Sequence, residues 1–173
     1  MSALAIATRN AIAQPMQETD WRIARLFDTI WQDHFADVPR VNDLVTGFDF
    51  PWKWRLGRIR MSLDQRTTEI TLNGLLDDPG VPHVVYVAIL AHEIVHYAQG
   101  FGSPIDRQQR HAHAHGAVSS ELHQRGLGHT ETALERWGEE VWPHFRAQAR
   151  ATRRAARQQD VLTPCTVATK MVY

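Results

Sequence analysis

Two histidines four residues apart, His92 and His96, stand in the stretch "LAHEIVHYAQG", and Glu93 follows the first of them directly. On a helix, residues i and i+4 share a face one turn apart, so both imidazoles can bind one metal ion. Glu93 is rotated by about 100° around that helix, which favours a general base acting on a zinc-bound water over a ligand. The spacing predicts metal-dependent hydrolysis of a peptide bond. The alternative interpretation is a core helix that merely contains two histidines.

A tetrahedral catalytic zinc ion needs a third protein ligand. The stretch "RHAHAHG" offers His111, His113 and His115, and Glu121 follows a few residues later. We predict a helix over about 111–125, on which His111 and His115 share a face and His113 points elsewhere. A glutamate ligand would instead indicate a gluzincin-type peptidase that uses Glu121. The residues alone leave the choice among these four open.

The elements that must position these residues follow from periodicity and from turn residues. Apolar residues at helical spacing predict a first helix from Asp20 to about Ala36, and Pro82 and Gly100 delimit the helix that carries the two histidines. Alternation in "GRIRMSLDQRTTEITLNG" predicts an antiparallel hairpin, and "VNDLVTGFDFPWKW" contains a short strand before Pro51. A further helix opens near Thr132, is interrupted at Pro143 and continues to about Gln159.

Length and composition indicate one domain with an extra helix. The chain has 173 residues with no net charge, and its one cysteine, Cys165, excludes both an internal disulfide framework and a four-cysteine zinc ribbon within it. No apolar run is long enough to span a bilayer, so we expect no membrane association. The single cysteine is typical of a reducing compartment, and we expect a cytoplasmic, or nucleoid- or nucleus-associated, location. The predicted organisation is an N-terminal extension (1–19), a metallopeptidase domain (20–142), and a basic helix with a tail (143–173).

The positive charge is concentrated at the C-terminal end. Residues 141–173 carry six Lys or Arg against a single Asp, and five of these arginines recur mostly at steps of three or four: Arg146, Arg150, Arg153, Arg154 and Arg157. Such a stripe on a helix could bind the phosphate backbone of a nucleic acid. The alternative is a solvated helix that packs on, or extends from, the acidic body of the domain.

The residues quoted so far resemble the SprT-like metallopeptidase domain over roughly residues 20–140. That family has a hairpin ending in I-x-L-N, here Ile70 to Asn73, then an apolar helix with HExxH, and later a histidine followed by glycine, here His115-Gly116. The upstream stretch "FDTIWQDHF" resembles the family's N-terminal helix. The resemblance implies a zincin-like α+β fold, with a small antiparallel sheet packed on the active-site helix. It also implies one zinc ion held by His92, His96 and His115, with Glu93 as general base.

The resemblance also implies partners. In zincin-like folds an edge strand can hold an extended peptide by main-chain hydrogen bonds, and the strand around 66–72 is a candidate. Spartan-type relatives cleave proteins crosslinked to DNA, so we expect a protein or peptide substrate and consider DNA as a partner of the basic helix. The alternative from another class is a catalytically quiet zinc-bearing domain that binds DNA or a protein.

Overall fold

The fold is described by a computed structural model that covers residues 18–162; the N-terminal extension up to residue 17 and the tail from 163, with Cys165, lie outside the described residues. Within this range the chain forms an α+β structure, as predicted. In chain order the elements are α1 (Glu18–His34), β1 (Asp43–Asp49), β2 (Gly57–Met61), β3 (Thr67–Asn73), α2 (His83–Ala98), α3 (Ala117–Gln124), α4 (Gly128–Glu140) and α5 (Trp142–Leu162). Short 3₁₀ turns follow β3 and precede α3.

The three strands form one mixed sheet in the order β1-β3-β2. β2 pairs antiparallel with β3, which confirms the predicted hairpin, whereas β1 pairs parallel with β3. The prediction of a purely antiparallel sheet was therefore wrong. The chain crosses from β1 to the opposite edge of the sheet to form β2, and β3 then returns between the two strands, parallel to β1. β3 is the central strand and is paired on both sides, so the candidate strand around 66–72 cannot accept a peptide at an open edge. Among the described strands, the edges are β1 and β2.

The core lies between α1, the sheet and α2, with α3 and α4 closing the other side of α2. Because α2 is packed on several sides, its sequence is apolar nearly all round rather than along one stripe. Tyr97 near its end is fully buried and donates a hydrogen bond to Asn42 Oδ1 (2.9 Å), which ties the loop after α1 to the core. The largest buried side chains of the three layers include Phe27, Trp31, Ile70, Leu72, Leu90 and Ile94. No helix within 18–162 combines the length and hydrophobicity needed to cross a bilayer.

Several predicted helix boundaries differ from those observed. α1 lies two residues earlier than predicted at both ends, and α4 begins at Gly128 and not near Thr132. The helix expected from 111 begins only at Ala117, since His115 (φ 55°) and Gly116 (φ 69°) adopt left-handed backbone conformations that an α-helix cannot contain. Pro143 does not interrupt a helix. The break falls at Val141, and Pro143 lies in the first turn of α5, where a backbone N–H has no intrahelical acceptor.

Candidate metal centre and catalytic cleft

The two histidines of α2 point their Nε2 atoms at one another. His92 Nε2 and His96 Nε2 are 3.1 Å apart, and the ring planes are nearly perpendicular. Two nitrogens that each lie about 2.0–2.1 Å from a tetrahedral ion are separated by about 3.3 Å. The observed separation therefore allows both imidazoles to bind the same ion without movement of the helix.

The third nitrogen comes from His113, in the loop before α3. Ligand atoms of His92, His96 and His113 all lie within 4.8 Å of one another, close enough to bind one metal ion. The His113 ring centroid is 4.7 Å from that of His96 and 5.4 Å from that of His92. His113 is exposed whereas His96 is buried, so the group opens to solvent on one side. We call these three residues the three-histidine group.

The other predicted ligands lie outside this group. His115, which the resemblance implied, is exposed at its left-handed position two residues after His113, and His111 is exposed as well. Glu121 accepts a hydrogen bond from Gln99 Nε2 (2.8 Å) and pairs with Arg125 (3.1 Å). The structure thus brings His113, and not the implied His115, close to His92 and His96, because the predicted helix that would have turned His113 away does not form there.

Burial keeps the two α2 histidines neutral. Burial is the larger cause and the neighbouring imidazoles add to it, and together they lower the pKa of His92 to about 4 and that of His96 to about 3. At neutral pH their lone pairs are therefore available to a metal ion without loss of a proton. The second nitrogen of His96, Nδ1, is buried and has no hydrogen-bond partner among residues 18–162, so packing against Phe101 and His113 orients this ring.

Glu93 lies beside the group and is almost fully buried, with 7% of its surface exposed. Burial raises the pKa of its carboxyl from 4.5 to about 7, and the positive charge of Arg55 opposes this shift. No hydrogen bond or ion pair joins its side chain to another described residue. A carboxyl whose pKa is close to neutral pH can both accept and return a proton, which is the property of a general base.

The raised pKa predicts how stability depends on pH in the metal-free protein. Between pH 4.5 and about 7, Glu93 is protonated in the folded state and ionised in the unfolded state. The free energy of unfolding therefore falls as the pH rises through that range. We expect Glu93→Gln to stabilise the metal-free chain by at most about 3 kcal/mol at pH 8 and by little at pH 4.5. Urea unfolding in the presence of a chelator at both pH values measures this.

The control for this prediction is Glu139→Gln, because Glu139 is exposed on α4. It should change stability equally at the two pH values. An equal gain for Glu93→Gln at pH 4.5 and pH 8 would show that burial does not raise the pKa of Glu93.

The three-histidine group and Glu93 lie in an open cleft of about 510 Å³. Edge strand β2 and the loop before it form one wall, and α2 forms the floor. Apart from the histidines and Glu93, the lining is mostly apolar and includes Trp54, Leu56, Ile59, Ile89 and Leu134, together with Arg55 and Arg58. An apolar cleft with a few converging polar groups is the usual form of a binding or active site.

Gly57 makes room for Glu93 at the start of β2. A Cβ atom at this position would lie 2.5 Å from Ile89 Cγ2 and 2.7 Å from Glu93 Oε1. Both separations are shorter than van der Waals contact, so any side chain here must displace the carboxylate. The absence of a side chain at residue 57 thus allows the edge strand to approach the carboxyl of Glu93 this closely.

Gly57→Ala therefore has a specific expected effect. If Glu93 is the general base that the sequence predicts, displacing it should reduce peptide hydrolysis by roughly 10- to 100-fold, at a cost of about 1–3 kcal/mol in stability and without loss of the predicted zinc ion. Activity, zinc content and urea unfolding measure the three quantities. Gly138→Ala is the matched control, because a Cβ there meets nothing within 4 Å. Equal activity of Gly57→Ala and the wild type would refute this role for Gly57.

Asn73 at the end of β3 holds the loop that forms the rim of the cleft. It is completely buried, and its amide donates to the carbonyls of Trp52 (2.9 Å) and Arg55 (2.6 Å). Its Oδ1 accepts hydrogen bonds from the backbone N–H of Trp52 and of Leu75. The asparagine of the I-x-L-N pattern therefore positions the residues beside the cleft, a role that the sequence alone did not indicate.

The basic helix is joined to the same rim. Arg146 donates to the carbonyl of Lys53 (2.7 Å), and its guanidinium lies 4.9 Å from the ring of Trp54. Arg150 and Lys53 line a small adjoining cavity of about 170 Å³, and Arg154 is exposed. Arg153 and Arg157 lie on α5, but their side chains are outside the described residues. The predicted stripe is thus divided, because Arg146 packs against the rim and Arg154 is exposed to solvent.

Several residues of the cleft were not singled out from the sequence, namely Trp54, Arg55, Gly57 and Leu134. The available signal for the first three was the polar and aromatic loop "WKWRLG" directly before the hairpin, whereas nothing in the sequence distinguishes Leu134 from other core leucines.

Comparison with protein-family models, with curated proteins and with solved structures finds no match to this chain.

Proposed function

We propose that this chain is a zinc-dependent endopeptidase of the SprT-like class with a zincin-like fold. The observation that supports this most is the convergence of three histidine nitrogens within 4.8 Å of one another next to a buried carboxyl in an open cleft. Three protein nitrogens and an open side are what a catalytic zinc ion requires, whereas structural zinc sites are closed by four protein ligands. His92, His96 and His113 would hold the ion.

When bound, zinc lowers the pKa of a coordinated water to near 7 and polarises the carbonyl of the scissile bond. Glu93 takes a proton from the attacking water as its oxygen forms a bond to the carbonyl carbon. It then donates this proton to the amide nitrogen as the C–N bond breaks, so that a carboxylic acid and an amine leave the cleft. Burial of Glu93 supports this role, because a pKa of about 7 suits both transfers.

The substrate backbone would lie along β2. Gly57 and Ile59 of this strand line the cleft, and no described strand pairs with its outer edge. An extended peptide can add to such an edge through main-chain hydrogen bonds, with alternate side chains directed into the cleft. We therefore propose edge strand β2, and not the central strand β3, as the strand that binds the substrate backbone.

The direct test is cleavage of an unfolded protein by the zinc-loaded chain and by its Glu93→Gln variant. This comparison also separates the peptidase from the alternative, a catalytically quiet zinc-bearing domain that binds DNA or a protein. That alternative draws on the exposed Arg154 and on the cationic cavity at Lys53 and Arg150. DNA as a partner of α5, DNA-associated proteins as substrates, and a cytoplasmic or nucleoid- or nucleus-associated location remain proposals.

A further inference from the structure

Arg55 is the one charged residue of the cleft lining that is neither paired nor buried. Arg58 forms an ion pair with Asp49 and lies 5.1 Å from the ring of Trp52. Glu93 is buried beside the three-histidine group. Arg55, by contrast, is exposed, and its side chain makes no ion pair or hydrogen bond with any residue of 18–162. The rim of the cleft therefore carries a positive charge that has no ion-pair partner within residues 18–162 and acts at longer range on the carboxyl of Glu93.

The main chain at Arg55 is held in place. Its carbonyl accepts a 2.6 Å hydrogen bond from the fully buried amide of Asn73, which also binds both backbone groups of Trp52. Trp54 on its other side is 71% exposed but lies between Lys53 (4.7 Å) and Arg146 (4.9 Å). The backbone from which the Arg55 side chain extends is thus fixed at the rim, and the positive charge of its guanidinium acts to lower the pKa of Glu93. An arginine held in this way is suited to bind an anionic group of a ligand in the cleft.

We propose that Arg55 binds a side-chain carboxylate of the substrate, so that the cleft selects peptides with Asp or Glu next to the scissile bond. Guanidinium groups pair with carboxylates through two parallel hydrogen bonds, which gives both affinity and direction. Outside the three-histidine group with its proposed zinc ion and Glu93, the other lining residues are apolar or glycine, except Arg58, which is already paired with Asp49. This inference rests on the proposed function, because it assigns the peptide substrate of the same cleft.

The experiment uses internally quenched peptides that differ only in Glu, Gln or Lys at a position adjacent to the scissile bond, each with a free and an amidated C-terminus. For the zinc-loaded wild type we expect kcat/KM to favour Glu over Gln by roughly 5- to 20-fold. Arg55→Ala should bring this ratio close to one, and Arg55→Glu should favour the Lys peptide. Arg66→Ala, in the β2–β3 turn, is the matched control and should keep the wild-type ratio. A preference that disappears when the C-terminus is amidated would show that Arg55 binds the terminal carboxylate instead, and it would overturn the assignment to an acidic side chain.

A second measurement is independent of cleavage. The same peptides, labelled with a fluorophore, are titrated with zinc-loaded Glu93→Gln protein and with the Glu93→Gln/Arg55→Ala double variant. We expect tighter binding of the Glu peptide only when Arg55 is present. If the peptides bind with this preference but are never cleaved, the proposed function fails and the assignment of Arg55 holds. If Arg55→Ala kept the wild-type ratio of kcat/KM between the Glu and Gln peptides, the assignment would be overturned. An equal loss of kcat for both peptides in this variant would also overturn it.

Discussion

Glu93→Gln is expected to abolish peptide hydrolysis almost completely, by about 10²- to 10⁴-fold in kcat, while zinc remains bound. The reason is that an amide cannot accept the proton of the attacking water or return it to the leaving amine. The change is nearly isosteric, and the buried position already disfavours a charge, so the fold should be retained. Cleavage of an unfolded protein, together with zinc content measured on the same sample, gives both quantities.

The matched control for this variant is Glu139→Gln, an identical change at an exposed position of α4. It should retain wild-type activity. If Glu93→Gln cleaved at the wild-type rate with its zinc in place, Glu93 would not be the general base, and the peptidase mechanism would be refuted. If the wild type itself showed no cleavage of any unfolded protein or peptide, the zinc-bearing binding domain would become the better explanation.

His113→Asn is expected to reduce zinc affinity by about two to three orders of magnitude. Zinc sites with four ligands contribute roughly 10–16 kcal/mol in small domains, so one ligand accounts for about 3–4 kcal/mol. His115→Asn should leave the affinity unchanged, because His115 lies outside the three-histidine group. Asparagine is chosen for both positions since it tolerates the left-handed backbone found at residue 115. Competition with a chromophoric chelator measures the affinities.

Glu121→Gln is the second control for the ligand set. Because Glu121 is paired with Arg125 and hydrogen-bonded to Gln99, we expect this change to leave zinc binding intact. A large loss of affinity in His115→Asn with none in His113→Asn would restore the ligand set implied by the SprT-like resemblance. A loss in Glu121→Gln would instead favour the gluzincin-type site.

The residues of α2 could be predicted from the sequence because their arrangement is local. The i, i+4 spacing of His92 and His96 determines their shared face once the segment is helical, and Pro82 and Gly100 mark its ends. The antiparallel hairpin was predictable for the same reason, since a short polar turn joins two alternating segments. Both predictions depend on contacts between residues that are near in the chain.

The third histidine and the sheet order depend on longer-range or less regular structure. Left-handed conformations at His115 and Gly116 stop the helix that would have directed His113 away, and a histidine in this conformation is uncommon enough that periodicity does not predict it. The parallel pairing of β1 with β3 joins segments more than 20 residues apart. The position of Arg55 on the rim depends on Asn73, 18 residues away.

The most direct test of the metal site is a crystal structure of the zinc-loaded chain with anomalous data collected on both sides of the zinc absorption edge. We expect a single anomalous peak in the cleft, with the Nε2 atoms of His92 and His96 and one ring nitrogen of His113 each about 2.0–2.1 Å away. Glu93 should lie beside the ion without binding it. A peak ligated by His115 or Glu121, or no zinc at His92 and His96, would contradict the three-histidine group as the catalytic centre.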